Sequence, residues 1–214
     1  MESPRIGQNT LELSPGLVPQ ARTTHLAHWV SLIGSPPLTT TAAAGLSAGH
    51  LATPTAWLWT AIYSVLVVLV PLLYVVWLFH TGQVADLDVR IRGQRTRPLL
   101  VTLATAMTAL AVLYLGAAPK LLIALASANT LQTVLFLGIT RRWKISAHSA
   151  AAATLATLGW LLIGSGALAL TVGVPVIAWS RIRLHHHTPA QTVAGAALGS
   201  SLVLAVLLLY GVCE

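Results

Sequence analysis

The run WLWTAIYSVLVVLVPLLYVVW, from Trp57 to Trp77, decides the fold class. As a helix it rises roughly 30 Å, the thickness of a bilayer's hydrocarbon layer. Trp57 and Trp59 stand at one boundary and Trp77 at the other, where amphipathic rings favour the membrane interface. The run lies inside a longer stretch, residues 23–85, that contains no Asp, Glu, Lys or Arg. Only 8% of the 214 residues belong to those four types, about a third of the share in a soluble chain, so a water-soluble globule is excluded. Bilayer lipid is the solvent for which this chain is built.

Working outward, residues 1–25 hold three prolines, two acids and two arginines with little apolar periodicity, and read as a polar, mobile leader. The leader lacks a signal peptide's basic start, short apolar core and small-residue end, so no removed presequence is expected. Residues 26–214 form a single transmembrane helical domain. Trp29 to Gly49 is a first apolar segment broken by Ser35, Pro36 and Pro37. Beyond Trp77, Pro98 opens a helical region running to residue 140, interrupted at Gly116–Lys120 by a turn between two antiparallel spans. A helix over 146–163, a Gly-Ser-Gly turn, a shorter span to Trp179 and a last helix from Pro189 to Val212 complete the chain. The expectation is an all-α, polytopic bundle of seven spans, or six if the proline-broken first segment only dips into the membrane.

Three polar breaks, at 80–97, 141–148 and 180–188, are each separated from the next by one helical hairpin. They are therefore expected on the same membrane face, able to converge on one site. The first reads DLDVRIRGQRTRP from Asp86 to Pro98. Its four arginines serve either as a topology signal and headgroup contact or as a phosphate grip. Arg90 and Arg97, seven residues apart, fall on one face of a helical loop, and planar guanidinium forks bind phosphate in bidentate fashion. Asp86 and Asp88 either hold those forks or are surface acids.

The second break, RRWKISAH from Arg141 to His148, offers Ser146 as an N-cap, which would set free backbone donors and the positive helix end beside His148. The third, SRIRLHHHTPAQ from Ser180 to Gln191, sets three adjacent histidines before the final helix. Consecutive helical residues fan out by about 100°, and no acid stands near to complete a shell, so no metal site is expected there. Cys213 is the only cysteine, which excludes an internal disulfide and a cysteine-built zinc site. Basic residues confined to short breaks against the bilayer, with no separate folded module, argue against nucleic-acid binding.

Taken together, the breaks resemble the three motifs of the type-2 phosphatidic acid phosphatase family, whose catalytic core is shared with vanadium haloperoxidases and bacterial acid phosphatases. That family orders Lys, six residues, Arg-Pro; then Pro-Ser-Gly-His; then Ser-Arg, five residues, His, three residues, Asp. Here Arg90 and Arg97-Pro98, then Ile145-Ser146-Ala147-His148, then Ser180-Arg181, His187 and Gln191 stand at the same spacing, over residues 90–191. Arg90 replaces lysine, Ile145 and Ala147 replace proline and glycine, and Gln191 replaces the acid that orients the nucleophilic histidine.

The resemblance implies a metal-independent phosphatase without a cofactor, in which His187 is the nucleophile and His148 the general acid and base. Arg90, Arg97, Ser146 and Arg181 would bind phosphate, with Lys144, Asp86 and Asp88 in support. It implies as substrate a phosphate monoester or diphosphate on an isoprenoid or diacylglycerol chain. Two alternatives are a lipid-binding or scaffold protein of the same fold, with Gln191 marking lost catalysis, and an intramembrane prenyltransferase in which Asp86 and Asp88 hold magnesium. With seven spans, eleven of the twelve basic residues lie on the motif face and Lys120 alone lies opposite, so the positive-inside rule makes that face cytoplasmic. The family's habit is the extracytoplasmic face.

Overall fold

The computed structural model describes residues 17–89 and 91–212, the side chains of residues 17–21 and of Arg92 excepted. Among them the chain is all-helical, with no strand. Nine α-helices follow one another: α1 Leu17–Ile33, α2 Pro36–Leu51, α3 Pro54–Ser64, α4 Val70–His80, α5 Thr96–Leu115, α6 Lys120–Thr140, α7 Ala147–Ile163, α8 Leu168–Arg183 and α9 Pro189–Leu209. Five helical segments are long and apolar enough to cross a membrane: Pro54–His80, Thr96–Leu115, Lys120–Thr140, Ala147–Arg183 and Pro189–Leu209.

Proline and glycine set most boundaries. Gly34 and Ser35 separate α1 from α2, and Pro36 opens α2 where its missing donor costs nothing. The broken segment expected over 29–49 is thus two helices, and the first begins at Leu17, inside the span expected as leader. Gly34 is also a contact point: a Cβ there would lie 2.5 Å from Ile177 Cγ1, so glycine lets α1 approach α8 closely. Between α3 and α4 the helix widens into a π turn, Val65–Leu69, closed by Val70 N–H donating to Val65 O. The widening precedes Pro71, which has no N–H to donate and would crowd the carbonyl one turn back in α register. In the 37-residue segment Ala147–Arg183, Gly164 at φ +55° and a short 3₁₀ turn fold α8 back against α7.

The core is centred on α7, which packs against α2, α8 and α9. That helix is buried nearly all round, and Ala150, Ala151, Ala152, Ala153 and Ala156 are small side chains that let the neighbouring backbones come near. Where α9 crosses, Gly195 faces the Ser146 carbonyl and Gly199 the Ala150 carbonyl, too close for a Cβ on either glycine. Leu113, Leu121, Leu122, Leu158, Val203 and Leu207 fill the far half of the bundle. Outside, Trp57, Leu73, Trp77, Met107, Leu115, Trp160 and Leu209 are all exposed. So wide an apolar exterior suits lipid rather than water.

Candidate functional site

The third break supplies the centre, and local capping chemistry explains how. Helix α8 ends in a left-handed turn at His185, φ +56°, with His186 N–H donating to Arg181 O at 3.0 Å and His185 N–H to Ile182 O at 2.9 Å. That hydrogen-bond pair is the Schellman motif, here with histidine in the position glycine usually takes. The reversal turns His186 and His187 inward while His185 stays outside. Three consecutive histidines therefore have three separate environments.

Two residues on, Thr188 caps α9 reciprocally. Gln191 N–H donates to Thr188 Oγ1 at 3.4 Å, and Thr188 N–H donates to Gln191 Oε1 at 3.2 Å. The same Oε1 lies 3.2 Å from His187 Nδ1, and the Lys144 carbonyl lies 3.2 Å from it as well. Both neighbours are acceptors, so Nδ1 carries the proton and the lone pair of the neutral ring is on Nε2. The Gln191 amide oxygen thus fixes the His187 tautomer without placing a charge beside the ring. Burial, then the positive charges of Arg181, Lys144 and Arg95, push His187 down to about 4, against the upward pull of the Gln191 hydrogen bond.

The second break joins the third through backbone and side chain together. Ser146 N–H donates to the Gln191 carbonyl at 3.1 Å, and Lys144 Nζ donates to the His186 carbonyl at 3.2 Å. Ser146 is the N-cap of α7 as expected, accepting from Ser149 N–H at 3.3 Å. Ile145, in the place of the motif proline, is buried against Phe136 and Ala150 and anchors the break to the bundle. Ala147 has ordinary helical geometry, so the conformational freedom of glycine is not needed there. His148 is buried, and its Nε2 lies 3.3 Å from Arg181 Nη1. Arginine only donates, so this contact is a shared hydrogen bond when Nε2 of His148 carries no proton.

Arg181, 1% exposed, is the hub. The two hydrogens of its Nη1 go to Ser31 Oγ of α1 and to Asp88 Oδ2 at 2.9 Å, and the longer contact with His148 can only share one of them. Burial works against ionisation of Asp88. The Arg181 guanidinium more than offsets this and holds the carboxyl below its usual range. Asp88 thereby ties the first break to the third.

Arg90 lies outside the described residues. Arg97 is exposed, and its Nη1 donates to Gln83 Oε1 at 3.1 Å. Arg95 is the half-buried arginine here: its Nε donates to the Val89 carbonyl at 2.8 Å, and its charge is felt by Asp88, Asp86 and His187. Burial and the Arg181 guanidinium lower the pKa of Arg95 from its ordinary value. Val89 holds this turn at φ +45°, a conformation that strains a β-branched residue.

All three breaks thus meet at one end of the bundle. His187, His148, Gln191, Ser146, Lys144, Arg181 and Asp88 are linked there. Ser31, Arg95 and His186 join them without any mark in the sequence except, for Arg95 and His186, their place inside two of the breaks. Among the described residues no three His, Cys, Asp or Glu side chains are grouped to hold a metal ion. No protein-family model, curated protein or solved structure matches the chain.

Proposed function

We propose that this chain is an integral membrane phosphatase that hydrolyses a lipid phosphate through a phosphohistidine. The observation that carries the reading is the pair of acceptors at His187 Nδ1, which leaves Nε2 as a neutral nucleophile beside a buried arginine. In the first step Nε2 attacks phosphorus and the ester P–O bond breaks. Arg181, Arg95 and Lys144 balance charge on the equatorial oxygens, and a protonated His148 gives its Nε2 proton to the leaving alkoxide. In the second step water attacks phosphorus while His148 takes its proton, the N–P bond breaks with its electron pair returning to His187 Nε2, and inorganic phosphate leaves. Bound phosphate replaces Asp88 and His148 as acceptors for Arg181, which frees His148 to hold a proton.

The span count that fits this reading is seven. Helix α2 descends from the motif end, α3 and α4 return to it, and five single-helix passes follow. The preponderance of basic residues at that end favours the cytoplasmic face.

Purified protein is tested for phosphate release from lipid phosphates. The expected result is turnover in EDTA, inhibition by vanadate and loss of turnover in His187→Ala. Release that survives His187→Ala ends the proposal, and a protein that binds these lipids but never releases phosphate is a scaffold.

A further inference from the structure

The second break opens with Arg141, Arg142 and Trp143, three exposed residues that the candidate site does not use. A tight turn at the end of α6 sets them side by side: Arg142 N–H and Trp143 N–H both donate to the Ile139 carbonyl, at 2.9 and 2.8 Å. Beneath them a groove of about 630 Å³ follows the outer surface of α6, with Val134, Leu135 and Ile139 in its apolar floor and Arg141, Arg142 and Trp143 at its head. Val134 to Arg141 is about two helical turns, a rise of roughly 10 Å, which fits within the roughly 15 Å of hydrocarbon in one leaflet. Arg141 also borders a second hollow, of about 310 Å³, with Gly93, Thr96 and Thr140 on its other sides.

Neither guanidinium makes a hydrogen bond or ion pair with a described residue, and Asp88 is held by Arg181. Cations suit a helix C-terminus such as that of α6, but this interaction uses their charge and leaves the N–H donors of both forks unspent. A groove that is apolar along its floor and cationic at its head matches a molecule built the same way round, with an acyl chain at one end and a negative headgroup at the other. Trp143 stands at the boundary between them, where an indole ring favours the membrane interface. The two forks fit the oxygens of a phosphodiester. A zwitterionic headgroup offers the same phosphate but adds a cation that two arginines repel. Free inorganic phosphate matches the head alone and leaves the apolar floor uncovered.

We infer that this groove binds an anionic phospholipid, with the phosphate held by Arg141 and Arg142 and an acyl chain laid along α6. The site is separate from the candidate phosphatase centre, and a protein that releases no phosphate leaves it standing. Full-length protein in detergent micelles doped with equal amounts of dioleoyl phosphatidylglycerol and dioleoyl phosphatidylcholine is tested for retained lipid by native mass spectrometry. The parent is expected to retain the glycerol lipid in preference. One arginine near a membrane surface favours an anionic lipid by about fivefold, so Arg141→Gln or Arg142→Gln should lower the preference by about that factor and the double variant by about 25-fold. Neither side chain has a protein partner to lose, so the single variants keep the fold and carry the test by themselves. Arg22→Gln with Arg183→Gln is the control, because it removes two charges from the end of the bundle where Arg183 meets Thr23. Screening should hold its effect within about twofold. Equal retention of the two lipids by the parent overturns the inference. So does a loss as large in the control pair as in the Arg141 and Arg142 variants. Displacement of the glycerol lipid by inorganic phosphate, but not by sodium chloride of the same ionic strength, overturns it in favour of a free-phosphate site.

Discussion

Asp88 Oδ2 lies 2.9 Å from Arg181 Nη1, so the arginine best buried for gripping phosphate is already held by a carboxylate from another break. The carboxylate is the weaker occupant, because its side chain is 34% exposed and it shares the guanidinium with Ser31 and His148. On the proposed reading, an entering phosphate competes with Asp88 rather than meeting an empty clamp.

Asp88→Asn keeps the shape and an acceptor but removes the competing charge. Vanadate is expected to bind several-fold tighter, read as a lower inhibition constant at fixed pH and salt. The ion pair also contributes to stability, though partial exposure limits its worth to about 1 kcal/mol. Because Asp88 has a folded-state pKa below its ordinary value, that contribution is present above pH 3.8 and is lost as pH falls through the folded value. The Asn variant should melt at a slightly lower temperature at pH 7 and lose less on acidification. Unchanged vanadate affinity would show that Asp88 and phosphate do not share Arg181.

His187 carries the pH dependence of the proposed chemistry. With its pKa depressed to about 4, the ring is neutral and nucleophilic well below 6.5, so the acid limb of kcat/KM in the parent should fall near pH 4. Gln191→Asp places a negative charge where the neutral amide accepts from Nδ1, which favours the imidazolium and raises the pKa. The acid limb is expected to move up by about one pH unit or more, with a higher plateau rate. Stability follows the same sign. The unfolded imidazole protonates first, so the contribution of neutral His187 is intact above pH 6.5 and diminishes as pH falls towards 4. A pH profile identical in parent and Gln191→Asp would mean that His187 is not the titrating nucleophile.

Arg95 and Arg97 separate what spacing proposes from what packing selects. Arg95 is half-buried beside Val89 and acts on His187, whereas Arg97 is exposed and bonded to Gln83. Arg95→Ala is expected to lower kcat/KM for a lipid phosphate by about tenfold or more, the scale of a lost charge-assisted hydrogen bond. Arg97→Ala should stay within about threefold, as befits an exposed polar contact. The reverse order would show that the first break rearranges around substrate.

Much of this architecture was legible because the signals were local. Trp57 to Trp77, Pro98, the Gly116–Lys120 interruption and the glycine at 164 each act on their own few residues, and each marks an element in the structure. Ser146 as N-cap is of the same kind. What the local signals did not carry is a boundary or a contact that depends on distant chain. The leader gave way to helix at Leu17, where α1 docks on α8 and brings Ser31 to Arg181, a pairing across 150 positions. Asp88 was readable as either a surface acid or an arginine partner, and only the fold brings Arg181 to it. Arg95 was passed over because the motif spacing fell on its neighbour, while burial is decided by the turn at Val89.

The joint between α7 and α9 sets the position of Ser146, and with it His148. A methyl group at Gly195 would overlap the Ser146 carbonyl, and one at Gly199 would overlap the Ala150 carbonyl. Backbone atoms cannot rotate aside as a long side chain can, so relief requires α9 to move away from α7. That movement would draw Gln191, whose own carbonyl accepts from Ser146 N–H, away from its partners. Gly195→Ala is therefore expected to destabilise the protein by about 1–3 kcal/mol and to reduce phosphate release more than the lost stability explains. Gly138→Ala is the matched control: nothing lies within 4 Å of the added atom, and alanine is the better helix former. Thermal unfolding in detergent, with activity assayed well below the transition, compares the two, and equal behaviour would show that the α7–α9 contact does not hold the site.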